Sequence, residues 1–287
     1  MKIFVTSDSS CDLSQEQLKE YNINIIPLYV NLNGQEYKDG IDITPDDIFA
    51  FVKETKKLPK TAAISMDDYL TFFKQLLNND DDARIIHIGI GSKLSTSYNN
   101  AVNASNELNG KVKVIDGNNL STGTGLLVLY AAKLAKEGQP FETIIEKVEK
   151  RVPNVQASFI IQEMDYLYKG GRCSALQLFG ANLLKIKPRI EVLDGAMKNT
   201  DKPRGKMNIV LKQYVDKILT EYNNPDKEIC FVTHSCLEDE IVKEIVEYVK
   251  SKNLFKEVVE TVAGATITSH CGKGTLGVLY INDGGKL

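Results

Sequence analysis

Apolar and polar positions come in short alternating blocks along the first half of the chain. Residues 2–6, 23–30, 84–90 (Arg-Ile-Ile-His-Ile-Gly-Ile) and 111–115 (Lys-Val-Lys-Val-Ile) are β-rich apolar runs of strand length. Between them, residues 14–21 have helical spacing, with Ser14 and Gln17 placed as a capping box. Residues 97–108 read as a helix with a polar face. Residues 120–136 read as a long apolar helix, with Ser121 or Thr122 to cap it and Gly138 to stop it. Strands alternating with helices predict a parallel sheet flanked by helices, a Rossmann-like α/β lobe.

The second half keeps the pattern with interruptions. Strands are expected at 157–162, 227–233, 257–262 and 278–282, an amphipathic helix at 237–252, and a hairpin turn at Asp194-Gly195. This is the signature of an α+β lobe. With 287 residues the chain has room for one or two domains. Pro153, inside the polar stretch 150–156, marks the expected boundary, giving an N-terminal lobe at 1–155 and a C-terminal lobe at 156–287. No internal repeat is present, and Asp80-Asp81-Asp82 reads as a solvated loop.

Composition narrows the function classes. With 43% hydrophobic and 25% charged residues, the chain has an ordinary globular balance. Its 35 Lys and Arg against 38 Asp and Glu leave a net charge of −3, so the basic footprint of a nucleic-acid binder is missing. The longest uninterrupted apolar run, 126–132, is far shorter than the roughly 18 residues of a membrane span, and Asp8 arrives before any signal-peptide core develops. A cytoplasmic location is therefore expected. The five cysteines, Cys11, Cys173, Cys230, Cys236 and Cys271, are odd in number and contain no CxxC, which predicts free thiols and no zinc site.

Four stretches carry candidate chemistry. The loop from Gly89 to Tyr98 joins a strand to a helix and contains Ser92, Ser95 and Ser97; ligands gather beyond the carboxyl ends of strands in such sheets, and helix N-termini suit anions. Capping of the helix by Ser95 or Ser97 is the plainer reading. Thr61 lies in a second hydroxyl-bearing loop, too far from the next helix to cap it, whereas Ser65 is placed to do so. Gly170-Gly171-Arg172 reads as a helix stop followed by a guanidinium suited to a carboxylate or phosphate. Finally, residues 262–277 combine small residues, hydroxyls, His270 and the glycines Gly272, Gly274 and Gly277, which permit close approach of a ligand.

That last stretch fits GxGxxG formally, but the glycines precede a strand and too little chain follows for a dinucleotide fold. A Walker A motif fails because Gly274 follows Lys273 where Ser or Thr is required. His87 reads as a structural strand residue. His234, with Ser235 and Cys236 beside it, is a conceivable base for a nucleophile, but the chain has no G-x-S-x-G elbow.

Seven segments in order resemble the DegV family of fatty-acid-binding proteins, the acyl-carrying subunits of bacterial fatty acid kinase. They are Thr6-Ser-Asp-Ser-Ser-Cys-Asp-Leu13, residues 59–65, Ser92-Lys-Leu-Ser-Thr-Ser-Tyr98, Val114-Ile-Asp-Gly117, residues 167–174, Leu184-Lys-Ile-Lys-Pro188 and residues 264–277. The resemblance implies a two-lobed α/β fold with a long-chain fatty acid, such as palmitate, buried between the lobes. It implies carboxylate binding by Thr61, Ser92 or Ser95, and His270, with Arg172 contacting a partner kinase or the phosphorylated head group. The chain would then present its ligand for ATP-dependent acyl-phosphate formation and perform no catalysis alone, with no cofactor or metal. Thr61-Ala-Ala-Ile, Ser95-Thr-Ser-Tyr98 and Val114-Ile-Asp-Gly117 depart from the family's usual Thr-Ser-Gln-Pro, SGTY and VIDS. The same residues leave two other readings open: a Ser/His acyl hydrolase or transferase using Ser92 or Ser95 with His270, and a small-anion module for phosphate esters.

Overall fold

The computed structural model describes residues 1–173 and 186–283. The N-terminal half builds a parallel sheet in the order β2 (Ile23–Ile26), β1 (Lys2–Asp8), β6 (Ala83–Gly89), β7 (Val112–Asp116). Helices α1 (Gln15–Glu20), α3 (Met66–Leu77), α4 (Ser97–Asn106), α5 (Thr122–Lys136) and α6 (Phe141–Arg151) connect or flank it. The capping box at Ser14 and Gln17 forms as expected. Ser121, at the start of α5, instead donates its hydroxyl to Asp12, 2.5 Å away.

The run at 23–30 is not one strand. Pro27 has no N–H for a ladder, and the chain leaves the parallel sheet there. It re-forms as β3 (Tyr29–Leu32), centre of a small antiparallel sheet between β4 (Gln35–Lys38) and β5 (Lys60–Ala62). Helix α2 (Pro45–Thr55) lies between β4 and β5 in sequence.

The C-terminal half forms a six-stranded mixed sheet. Its order is β10 (Ala196–Asp201), β9 (Arg189–Leu193), β8 (Val155–Ile160), β13 (Thr275–Ile281), β11 (Ile229–Ser235), β12 (Glu257–Val262). The expected turn joins β9 to β10, with Asp194 at φ 51° and Gly195 at φ 74°, the left-handed pair a tight hairpin needs. Helices α7 (Met164–Lys169), α8 (Met207–Glu221), α9 (Asp239–Ser251) and α10 (Ala265–Cys271) complete the described elements. Of these, α8 and α10, like α6 earlier, were not among the sequence expectations.

Side-chain alternation on the strands sorts the core into layers. Ile85, Val112 and Val114 face Tyr69 and Phe73 of α3 and Ala101 of α4. On the opposite face, Val5, Ile86 and Ile88 pack with α5, which is buried all round, and beyond it lie Phe159, Phe231 and Leu279 of the second sheet. The far face of that sheet, through Val232, Leu276, Val278 and Tyr280, packs on α8 and α9. Helix α5 is thus the layer shared by the two sheets, and its N-terminus opens toward the carboxyl ends of β1 and β6. All five cysteines are free. Among the described residues no helix is long and apolar enough to cross a membrane.

Candidate functional site

The parallel sheet sets the site's position. Chain order reverses direction between β1 and β6, and the loops leaving their carboxyl ends diverge there, the place where open α/β sheets admit ligands. The loop after β6 folds back through bonds from Leu94 and Ser95 N–H to the Gly91 carbonyl. Its Ser92 N–H donates to Asp116 at 3.1 Å. Ser95 accepts from the Ser97 N–H at 3.2 Å and donates to the Ser97 hydroxyl at 3.0 Å, so its oxygen largely serves the start of α4. The Ser92 hydroxyl has no such engagement among the described residues.

Thr61 comes from β5 and His270 from the last turn of α10. Although 209 positions apart, Thr61 Oγ1 and His270 Nε2 lie 2.8 Å from one another. The imidazole is held by what surrounds it. Gly170 closes α7, and a Cβ there would sit 2.5 Å from His270 Nδ1, so the absence of a side chain makes the ring's place. Burial, with the Arg172 charge adding to it, pushes the His270 pKa down to about 4, so the ring is neutral at pH 7. Its Nδ1 is buried with no hydrogen-bond partner among the described residues.

Arg172 spans the rim. It donates from Nη1 to the Gly170 carbonyl at 2.6 Å and from Nε to the Leu94 carbonyl at 3.4 Å, tying the end of α7 to the serine loop. Thr61, Ser92, Ser95, Arg172 and His270 line one cavity of about 370 Å³, with Lys93 at its edge. Thr96 and Thr266 add two further hydroxyls, and the rest of the lining is apolar, including Leu28, Ile90, Leu120, Met197 and Ile267. Behind them, a tight apolar space of about 30 Å³ shares Leu120 and Ile267 and continues between α5 and the second sheet to Ala157, Phe159, Val192 and Leu279.

Two expected residues lie elsewhere. Gly272 and Gly274 do not line this cavity: a Cβ on Gly272 (φ 71°) would strike the Tyr166 ring at 2.6 Å, and one on Gly274 (φ 78°) would strike Gln162 at 2.8 Å. Their close approach is to the protein itself, which corrects the ligand-facing expectation for both. His87 is a core residue, bonded to Thr6 at 2.9 Å and lowered by burial to about 3. His234 faces Glu260 on the neighbouring strand at 3.4 Å and has no described contact with His270. Ser174 and residues 184 and 185, which belong to the quoted segments, lie outside the described residues.

Sequence reasoning missed Thr266. It lies one helical turn before His270, lines the same cavity, and buries a hydroxyl with no partner among the described residues. The i, i+4 spacing of Thr266 and His270 would have pointed to it had the stretch been read as helix.

Two sheets sharing a buried helix, with a half-polar, half-apolar cavity between a serine loop and a short histidine-bearing helix, define a two-lobed α/β protein with a candidate ligand cavity. The chain belongs to the DegV family, whose family model, described as "Uncharacterised protein, DegV family", matches residues 2–283. A DegV domain-containing protein of Caldanaerobacter subterraneus subsp. tengcongensis is 31% identical over 281 residues, covering 97% of this chain and 98% of that protein. Another, from Clostridium acetobutylicum, is 32% identical over 282 residues, covering 98% of each. Among solved structures, a DegV family protein from Thermus thermophilus described for its fatty acid binding superposes with a TM-score of 0.91 at 28% identity, covering 98% of this chain and 100% of that one. A stearic acid-binding protein from Eubacterium ventriosum superposes with a TM-score of 0.85 at 27% identity, covering 99% of each chain.

Proposed function

We propose that this chain binds a long-chain fatty acid between its lobes, residues 1–155 and 156–287, with the carboxylate at Thr61, His270 and Ser92 or Ser95. The observation that carries the reading is the Thr61–His270 pair in a cavity that joins a cluster of hydroxyls to apolar walls at Leu28, Ile90, Leu120, Met197 and Ile267. Burying a sixteen-carbon tail at about 0.8 kcal/mol per methylene gives on the order of 12 kcal/mol of gross driving force, before ordering costs. A carboxylate drawn in with it must find donors or lose several kcal/mol. The hydroxyls of Thr61 and Ser92 and the N–H of a neutral His270 are such donors.

The fatty acid binding described for the Thermus thermophilus DegV family protein and the stearic acid binding described for the Eubacterium ventriosum protein support the same reading. Beyond binding, we propose that the carboxylate is presented to a partner kinase for ATP-dependent acyl-phosphate formation in the cytoplasm, with Arg172 at the rim contacting that partner or the phosphorylated head group. The chain itself then supplies no catalytic group. Geometry favours this over a Ser/His hydrolase: the His270 nitrogen in hydrogen-bond contact faces Thr61, and Nδ1 has no described carboxylate behind it to orient a base. A phosphate-ester module would rely on Lys93 and Arg172 alone at the rim.

The test is to purify the protein without added lipid, extract it with organic solvent and identify what is released by mass spectrometry. Near-stoichiometric free fatty acid, lost in Thr61→Val and His270→Ala, is expected. An empty extract together with no uptake of added fatty acid would overturn the reading. Kinase partnership is tested separately, by trapping acyl phosphate with hydroxylamine when ATP and a candidate kinase are added.

A further inference from the structure

Helix α10 carries His270 but is poorly equipped to hold itself. It has seven residues, its N-cap is Gly264 with no side chain to offer, and its first turn has no acidic residue. The missing acceptor comes from 226 positions away. Asp39, 3% exposed, takes the Ala265 N–H on Oδ1 at 2.8 Å and the Thr266 N–H on Oδ2 at 3.2 Å. Its carboxylate also accepts from the Ser9 hydroxyl at 3.0 Å, and the Asp39 N–H donates to the Leu28 carbonyl at 2.9 Å.

Asp39 directly follows β4, and β4 pairs with β3, which pairs with β5. Strand β5 carries Thr61, opposite Val30. The small three-stranded sheet therefore grips α10 at both ends: Asp39 holds its first turn, and Thr61 holds the imidazole on its last. Val30, Ile43 and Ile48 of the same region pack against Ala265 between these grips. In a helix of only seven residues, His270 lies little more than one turn from the residues that Asp39 holds, so a displacement of the first turn is carried to the ring.

We propose that Asp39 is a positioning residue for the carboxylate site, fixing His270 against Thr61 through the N-terminus of α10. It touches no ligand itself. The inference rests on the fatty-acid reading only for its functional consequence, since the position of His270 is read without any lipid.

The test uses ring 15N resonances of the ligand-free protein. The chain has three histidines, and His270 is assigned by the signal lost in His270→Gln. In Asp39→Asn, one N–H of the first turn loses its acceptor and the formal charge is gone. The His270 ring nitrogens are expected to move toward the averaged values of an untethered neutral imidazole, while His87, tied to Thr6, keeps its shifts. Fatty-acid affinity is expected to fall at least tenfold. Unchanged His270 shifts in Asp39→Asn, or in the milder Ser9→Ala if the first variant does not fold, would overturn the proposal.

Gly264→Ser in an Asp39→Ala background separates helix capping from positioning, because serine at the N-cap supplies a local acceptor without a tether to the small sheet. Recovery of thermal stability with the His270 shifts still displaced supports positioning. Recovery of both would reduce Asp39 to a cap and overturn it. A wild-type protein that binds no fatty acid would defeat the functional reading and leave this result standing.

Discussion

Replacing Gly170 by alanine tests the role of the His270 ring. The residue sits at φ −69°, ψ −13°, which alanine adopts freely, so the backbone is not strained. The added Cβ would lie 2.5 Å from His270 Nδ1, 3.2 Å from its Cε1 and 2.8 Å from the Tyr166 carbonyl oxygen, so the ring must retreat by about an ångström and the end of α7 must give slightly. That retreat breaks the 2.8 Å contact with Thr61. A hydrogen bond to a charged group contributes about 1.5–3 kcal/mol, so fatty-acid affinity should fall by roughly 10- to 150-fold. Stability should fall modestly, because crowding against the Tyr166 carbonyl and the ring outweighs the gain of about 0.4–1 kcal/mol that glycine to alanine draws from the unfolded state. Gly171→Ala is the control: its φ is 72°, with nothing within 4 Å of the new Cβ. It should cost about 1–2 kcal/mol, a fall of a few degrees in Tm, and leave affinity intact. Competition with a fluorescent fatty acid, alongside thermal melts, reads both. Wild-type affinity in Gly170→Ala, or an equal loss in Gly171→Ala, would refute the argument.

The two serines should separate in the same assays. Ser95→Ala removes the acceptor for the Ser97 N–H and should lower stability by about 1 kcal/mol with a small change in affinity, whereas Ser92→Ala should weaken binding several-fold at unchanged Tm. Thr266→Val exchanges a buried hydroxyl without a described partner for a methyl of the same shape and should raise the unfolding free energy of the lipid-free protein by up to about 1 kcal/mol, measured in urea. Asp12 gives a pH test. Burial, with Asp39 and Asp8 nearby, lifts its pKa from 3.8 to about 8, so the folded chain keeps a proton that the unfolded chain releases. Its contribution is full below pH 3.8 and is lost as pH rises to about 8, at about 1.4 kcal/mol per unit. Urea unfolding at pH 5.5, 6.5 and 7.5 should show Asp12→Asn gaining on the wild type as pH rises; parallel curves would contradict it.

What the sequence made legible is what local pattern dictates. Strand β12 has the expected bounds, the capping box of α1 forms, and Asp194-Gly195 turns the hairpin, because apolar runs, hydroxyl caps and left-handed pairs act within a few residues. The small sheet escaped because β3, β4 and β5 have only four, four and three residues and β4 is mostly exposed, leaving no periodic signal. Its separation from β2 turns on a single proline. Helix α8 is a different omission: Val210, Leu211, Tyr214, Val215 and Ile218 are spaced for one buried face, and the pattern is present in the sequence.

The site divides along the same line. Thr61, Ser92, Ser95, Arg172 and His270 were all recognisable as residues, yet nothing local says that Thr61 meets His270 or that Ser95 is occupied at a helix start. Helix α10 has threonines and an isoleucine in place of strong helix formers, and the acceptor for its first turn arrives from Asp39 across the fold. Gly170 reads as a helix stop because its second task, leaving room for an imidazole 100 positions later, is invisible until the chain has folded. The chemistry is therefore written in residue types, and the distances that make it work are set by a bracket of three short strands with little signature of its own. A sequence change in that bracket, at Asp39 or at Lys60 or Ala62 beside Thr61, would shift the Thr61–His270 pair while leaving every candidate contact residue unchanged.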